Sequence, residues 1–233
     1  MPAKIIFFDA GGTLFRPWPS VGDVYARTAF KHGVRVDPEV VEKAFHDKWH
    51  LRSGGIANEE PQGRTTSEKI ERAWWYALVR DVFHNLEAFD DFDTFFTELY
   101  DLFAQAECWR LYDDTLPALD ALKARGQRLG IISNWDYRLF SIVKQLGLSA
   151  YFETVIASSA VGCSKPGAKI FEAGLAAMKA TAENCVHVGD SLGDDYEGAK
   201  KSGLTPVLID RSARVYNDIT RMKSLTDLLD LFS

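Results

Sequence analysis

Four short polar stretches hold most of the residues in this chain that could do chemistry: Asp9-Ala10-Gly11-Gly12-Thr13, Ser133-Asn134, Ser164-Lys165-Pro166 and Gly189-Asp190-Ser191-Leu192-Gly193-Asp194-Asp195. Between them they offer carboxylates, hydroxyls, an amide and a lysine. A carboxylate can attack an electrophile, and several together can hold a hard, oxygen-seeking cation. A lysine with hydroxyl and backbone N–H donors can bind an anion. Taken singly none of the stretches is informative, because an Asp after an apolar run is most often a turn or cap residue. The set gains meaning from its order, since each stretch comes after a run that reads as a buried strand.

Ile5-Ile6-Phe7-Phe8 is continuously apolar and stops at Asp9, as expected of a strand buried on both faces. Leu129–Ser133, Thr154–Ser158, Val186–Gly189 and Pro206–Ile209 repeat the pattern, with helix-length segments such as Leu116–Ala124 and Ile170–Met178 between them. That alternation means crossover connections and a parallel sheet, in which ligands bind beyond the carboxyl ends of the strands. The expected fold is α/β, a Rossmann-like three-layer core on a parallel sheet, formed by residues 1–15 and 109–233.

Residues 16–108 break the alternation and read as an inserted α-helical domain. Val24, Phe30, Val40, Val41, Ala44 and Phe45 mark the apolar faces of its first helices. Trp74, Trp75, Leu78, Val79 and Val82, then Phe92, Phe95, Phe96, Leu99, Tyr100, Leu102 and Phe103, mark the last two. Ser53–Ser67, with glycines, a proline and no periodicity, reads as a loop.

The chain has 233 residues, with 27 Lys and Arg against 33 Asp and Glu, a formal charge of -6. A polyanion binder needs clustered basic residues, so no nucleic-acid partner is expected. No apolar run reaches the roughly 18–20 residues that span a bilayer, and the N-terminus lacks the pattern of an export signal, so no membrane association is expected. Cys108, Cys163 and Cys185 are odd in number and include no Cys-x-x-Cys pair, which disfavours a disulfide framework or a zinc finger and suits the reduced cytoplasm. A monomer and a homodimer are equally compatible with the composition.

The ordered set resembles the haloacid dehalogenase superfamily, whose members carry an Asp, a Ser or Thr, a Lys and further acids after successive strands. Asp9 and Thr13 match its first motif, Ser133 its second, Lys165 its third, and Asp190 with Asp194 or Asp195 its fourth; residues 16–108 sit where one subgroup inserts a helical cap. The phrases Asp9-Ala10-Gly11-Gly12-Thr13-Leu14, Trp74-Trp75 and Asn134-Trp135-Asp136-Tyr137-Arg138-Leu139 resemble the REG-2-like branch. The resemblance implies an Mg²⁺-dependent phosphatase acting on a small phosphorylated metabolite through an aspartyl-phosphate. Asp9 is then the nucleophile, and Mg²⁺ is held by Asp9, the Gly11 carbonyl, Asp190 and Asp195. The transferring group is bound by Gly12, Thr13, Ser133, Asn134 and Lys165. Asp195 is favoured over Asp194 because a helix Tyr196–Ser202 would then begin at an Asp, which is also a good helix cap.

One residue departs from the family pattern. Most of its phosphatases have a second Asp two residues after the nucleophile, and this chain has Gly11. General acid-base help is typically worth about 10² to 10⁴ in rate, so the departure bears directly on activity. Asp23, His32, Glu60 and Asp136 are conceivable substitutes that the sequence cannot rank. Two other readings follow: a 2-haloacid dehalogenase or phosphonate hydrolase, whose relatives also lack that acid, and a non-catalytic phospho-ligand binding or scaffold protein. His187, inside a strand run, reads as a satisfied core histidine, and His46 and His50 as surface or core-edge residues.

Overall fold

A computed structural model describes residues 5–59, 63–86, 88–211 and 219–231. The chain runs β1 (Ile5–Phe8), β2 (Phe15–Pro17), α1 (Val21–Lys31), α2 (Pro38–Glu59), α3 (Glu68–Phe83), α4 (Phe92–Leu102), β3 (Trp109–Leu111) and α5 (Thr115–Ala124). It continues with β4 (Arg128–Ser133), α6 (Arg138–Gln145), β5 (Thr154–Ala157), α7 (Ser158–Val161), α8 (Ala168–Met178), β6 (Cys185–Gly189) and a π-helical turn (Leu192–Glu197). It closes with α9 (Gly198–Lys201), β7 (Thr205–Ile209), β8 (Arg221–Met222) and α10 (Leu228–Leu231).

Six strands form one parallel sheet in the order β5-β4-β1-β6-β7-β8. The most apolar strand is central: all four residues of β1 are buried, as a strand with helices on both faces requires. One face packs Ile6, Phe8, Leu129, Ile131 and Val188 on helices α5 and α6. The other packs Phe7 and Ile132 on Ile170, Phe171 and Met178 of α8. This is the expected Rossmann-like architecture, with strand limits within a residue of those read from the sequence.

β2 and β3 pair antiparallel as a two-stranded ribbon. It brackets α1–α4, whose apolar faces bury Val24, Tyr25, Leu78, Val82, Phe95 and Leu99 in a separate cluster. Trp74 and Trp75 pack against Trp49 at the edge of that cluster. Phe30 and Val40, expected in this core, are instead largely exposed; Phe30 lies under the Arg35 guanidinium, 5.1 Å from its ring centre. The expected loop at Ser53–Ser67 is corrected as well. Backbone helix continues through Gly54 and Gly55 to Glu59, because a nucleated helix adds a hydrogen bond per residue and each glycine costs only about 1 kcal/mol. Residues 60–62 of that stretch, Glu60 among them, lie outside the described residues. Among the described residues no helix is long and apolar enough to cross a membrane.

Candidate active site

β1, β4 and β6 are adjacent, so the polar residues at their ends converge. Asp9 follows β1 and its amide donates to Val188 O, 2.8 Å. Its carboxylate is buried and Oδ1 accepts from Ser133 Oγ at 2.8 Å and Lys165 Nζ at 2.5 Å. The Lys165 ammonium also donates to Asp195 Oδ1 at 2.5 Å and Ile132 O at 3.1 Å, which uses all three of its protons. Asp195 accepts further from His187 Nε2 at 2.8 Å and from the Ser191 amide at 3.0 Å. Asp190 receives Thr13 Oγ1 at 3.2 Å. Ligand oxygens of Asp9, Asp190 and Asp195 all lie within 4.8 Å of one another.

Three carboxylates thus face one buried ammonium. Burial raises the Asp9 pKa, with Lys165 opposing and Asp195 reinforcing the shift. Asp190, an exposed residue at the rim of the cluster, is pushed up to about 7 by desolvation of its carboxyl and by the charges of Asp9 and Asp195. Burial opposes ionisation of Asp195 too, but Lys165 and His187 outweigh it and hold that carboxyl well below its usual range. Lys165 is raised: burial disfavours its charge, and Asp195 and Asp9 more than compensate. The surplus of negative charge is what a bound cation neutralises, so the donor set fits a hard metal ion.

Glycines make the crowding possible. A Cβ on Gly189 would lie 2.1 Å from Asp195 Cγ, and one on Gly12 would lie 2.5 Å from Asp190 Oδ2. Gly12 also has φ +85, a left-handed conformation that costs other residues about 1–2 kcal/mol. Gly12→Ala is therefore expected to lower the thermal midpoint by several degrees and weaken divalent-cation affinity tenfold or more. Thermal unfolding with and without Mg²⁺ checks both effects.

The fourth motif differs locally from its expected form. The helix cap is Ser191, whose hydroxyl accepts from the Asp194 amide, and Asp195 lies inside the π-helical turn that follows. The wider turn directs Asp195 inward, where it is buried, while Asp194 is half-buried and receives Asn134 Nδ2 at 3.4 Å. Burial and the Asp195 charge push Asp194 up to about 6. Asn134, expected on the phosphoryl group, bonds at both ends of its amide to Lys165: Oδ1 accepts from Lys165 N at 2.6 Å and Nδ2 donates to Lys165 O at 3.1 Å. Its short side chain is used to fix the loop that carries the lysine. His187 is buried as expected but only half satisfied, since Nδ1 has no partner among the described residues.

Gly11 is half-buried and faces the Trp135 indole. None of the describable substitute acids joins Asp9. Asp23 accepts from Ser20 at a helix start, His32 pairs with Glu98, and Asp136 is buried between Arg138 and Tyr100. His46 bonds to Glu42 on an exposed face.

Further supports come from residues with no motif of their own. Arg211 bonds to Asp114 and donates to Thr13 O at 2.9 Å, while Thr115 Oγ1 donates to Leu14 O at 2.7 Å. They tie down the turn after Asp9 from about 100 and 200 residues away in sequence, a separation that no local pattern reveals. Across from it, Thr65 forms an isolated antiparallel bridge with Cys163, and Ser164 N donates to Arg64 O at 3.0 Å. Arg64 N donates in turn to Ser164 Oγ at 2.9 Å. Residues 64–66 are thus seated on the loop that carries Lys165.

Residues 3–203 match the haloacid dehalogenase-like hydrolase family. A haloacid dehalogenase-like hydrolase domain-containing protein 3 from Danio rerio is 30% identical over 213 residues, covering 91% of this chain and 86% of that protein. A glyceraldehyde 3-phosphate phosphatase from Methanothermobacter thermautotrophicus is 35% identical over 101 residues, 43% of this chain and 45% of that protein. Among solved structures, a phosphatase from Thermococcus onnurineus superposes with TM-score 0.68 at 24% identity, covering 99% of this chain and 98% of the other. An L-2-haloacid dehalogenase superposes with TM-score 0.75 at 22% identity, covering 99% of both chains. The fold is common to both chemistries, so the side chains have to separate them.

Proposed function

Because the chain belongs to the haloacid dehalogenase-like hydrolase family, we propose that this hydrolase is an Mg²⁺-dependent phosphatase of small phosphorylated metabolites that works through an aspartyl-phosphate on Asp9. The observation that carries the reading is the three-carboxylate cluster around one buried lysine. Lys165, bonded to Asp9 and Asp195 at once, holds the nucleophile's carboxylate in place and supplies a positive charge beside the incoming phosphate. The Ser133 hydroxyl, which donates to Asp9 Oδ1, is a neutral donor beside the same carboxylate. Asp9 attacks phosphorus, the leaving oxygen departs with the electron pair, and water then attacks the phosphorus of the aspartyl-phosphate to restore the carboxylate.

Asp9, Asp190, Asp195 and the Gly11 carbonyl would hold Mg²⁺, which when bound neutralises charge on the phosphoryl oxygens. Its retention depends on Asp190 being ionised. With a carboxyl pushed up to about 7, Mg²⁺ affinity is expected to fall about tenfold per pH unit below that value, because the proton and the cation compete. Titration calorimetry across about pH 5.5 to 8 checks this slope, and Asp190→Asn is expected to flatten it and abolish tight binding. The same carboxylate argues against the dehalogenase reading, since a haloacid's own carboxylate would meet an uncompensated negative charge.

The residues from α1 to α4 serve in this reading as a cap over the strand ends, and their side chains select the substrate. Hydrolysis of 4-nitrophenyl phosphate and acetyl phosphate, with and without Mg²⁺, tests the proposal. Mg²⁺-dependent turnover that disappears in Asp9→Asn supports it. Absence of turnover, together with release of halide from 2-haloacids, would transfer the chain to the dehalogenases.

A further inference from the structure

The three heavy atoms nearest to a side chain built at position 11, two residues after Asp9, all belong to the half-buried indole of Trp135. A Cβ built on Gly11 lies 3.5 Å from Trp135 Nε1 and 3.5 Å from Cζ2, so the N–H edge of the ring faces that position. The ring is held in place. The Trp135 carbonyl accepts from Ser159 N at 3.1 Å and Ser158 Oγ at 3.2 Å, and the ring packs on Phe15 and Trp109 at centroid distances of 6.0 and 5.1 Å. Trp109 donates its own N–H to Phe103 O at 3.0 Å. Trp135 Nε1 has no partner among the described residues, although its chain neighbours Ser133 and Asn134 are fully engaged in the site. An indole N–H donates a hydrogen bond but gives up no proton near neutral pH.

Resting on the phosphatase reading above, we propose that the substrates are acyl phosphates and that Trp135 Nε1–H donates to the departing carboxylate. The chemistry balances without an acid. Asp9 Oδ forms a bond to phosphorus as the bond from phosphorus to the acyl oxygen breaks. The electron pair leaves with the carboxylate, which at neutral pH takes up no proton. In the second step water adds to phosphorus, the bond to Asp9 breaks with its electron pair returning to the carboxylate, and both water hydrogens stay with the phosphate, one passing to solvent as HPO4²⁻ forms. Both leaving groups are carboxylates, so neither step calls on the proton that Gly11 cannot supply. An alkoxide, by contrast, needs protonation as it leaves.

The test compares kcat/KM for acetyl and benzoyl phosphate with that for glycerol 1-phosphate, in the natural protein, Trp135→Phe and Asp9→Asn, with Mg²⁺ present. Acyl phosphates are expected to lead by about 100-fold or more. Trp135→Phe is expected to lose about tenfold on acyl phosphates, the usual effect of one hydrogen bond to a charged group. Uptake of beryllofluoride on Asp9, followed by fluorine NMR, contains no leaving group and is expected to be retained in Trp135→Phe; its loss would mean that the ring only supports the Ser133–Asn134 turn and would overturn the assignment. Equal turnover of glycerol 1-phosphate, or an unchanged Trp135→Phe, would overturn it too and point to an acid elsewhere, with Asp194→Asn the variant to locate it. Full turnover in Asp9→Asn, or neither turnover nor beryllofluoride uptake in the natural protein, would instead refute the phosphatase reading itself.

Discussion

Replacing Asp9 with asparagine is expected to lower phosphatase turnover by about 10⁴-fold or more, the scale seen when a covalent nucleophile is removed, and to leave the metal-free protein at least as stable as before. The two halves have one cause. Asparagine Oδ1 can still accept from Ser133 and Lys165, so the local hydrogen bonds survive. What disappears is a buried charge. The fold raises the Asp9 pKa, chiefly by burial and against the pull of Lys165. A carboxyl raised in the folded state contributes stability while protonated and loses it as pH rises through the raised value. Above the ordinary carboxylate range, holding the Asp9 carboxyl in this buried site therefore costs the metal-free fold stability, and the amide relieves that. Thermal unfolding in EDTA should place Asp9→Asn above the natural protein at pH 8, with the gap closing toward the ordinary carboxylate range. A variant that unfolds earlier at pH 8 would contradict the electrostatic account even if activity vanished.

The second large effect is a gain. Gly11→Asp is expected to raise hydrolysis of alkyl phosphates by about 10²-fold, the lower end of what a positioned general acid supplies, while Gly11→Asn does nothing. Geometry permits the substitution. Gly11 has an ordinary φ and its new Cβ would sit at normal contact distance, 3.5 Å, from the Trp135 ring. Gly12, one residue on, has neither freedom, with φ +85 and a carboxylate 2.5 Å from any Cβ. Steady-state rates on glycerol 1-phosphate for folded Gly11→Asp and Gly11→Asn decide the matter. Equal rates in the two would mean that proton supply does not limit the natural protein.

Much of this was legible in the residues. Runs such as Ile5–Phe8 and Val186–Gly189 are buried on both faces, so continuous hydrophobicity marked them, and the polar residues that end them had to meet at one sheet edge. What escaped notice depended on three-dimensional apposition or on short elements. β2, β3 and β8 have three, three and two residues, too few for a period to register. Arg211 reaches Thr13 across 198 positions. Sequence favours Asp195 over Asp194 as the start of a helix, but it does not show the π-helical turn that encloses Asp195, capped by Ser191. Asn134 has the right chemistry to touch a ligand, yet the Lys165 backbone lies closer and takes both ends of its amide. The Trp135 indole and Gly11 are 124 residues apart, and nothing in either segment announces the other.

The strand-like pairing of Thr65 with Cys163 and the reciprocal bonds between Arg64 and Ser164 join two segments about 100 residues apart into one thermodynamic unit. The Ser164 amide finds its acceptor on Arg64, so withdrawing residues 64–66 would hand that proton to water. Solvent exchange of the Ser164 amide is then a clock for separation of the two segments. Whatever slows that clock by gripping residues 64–66 also keeps the loop next to Lys165 in its bonded place.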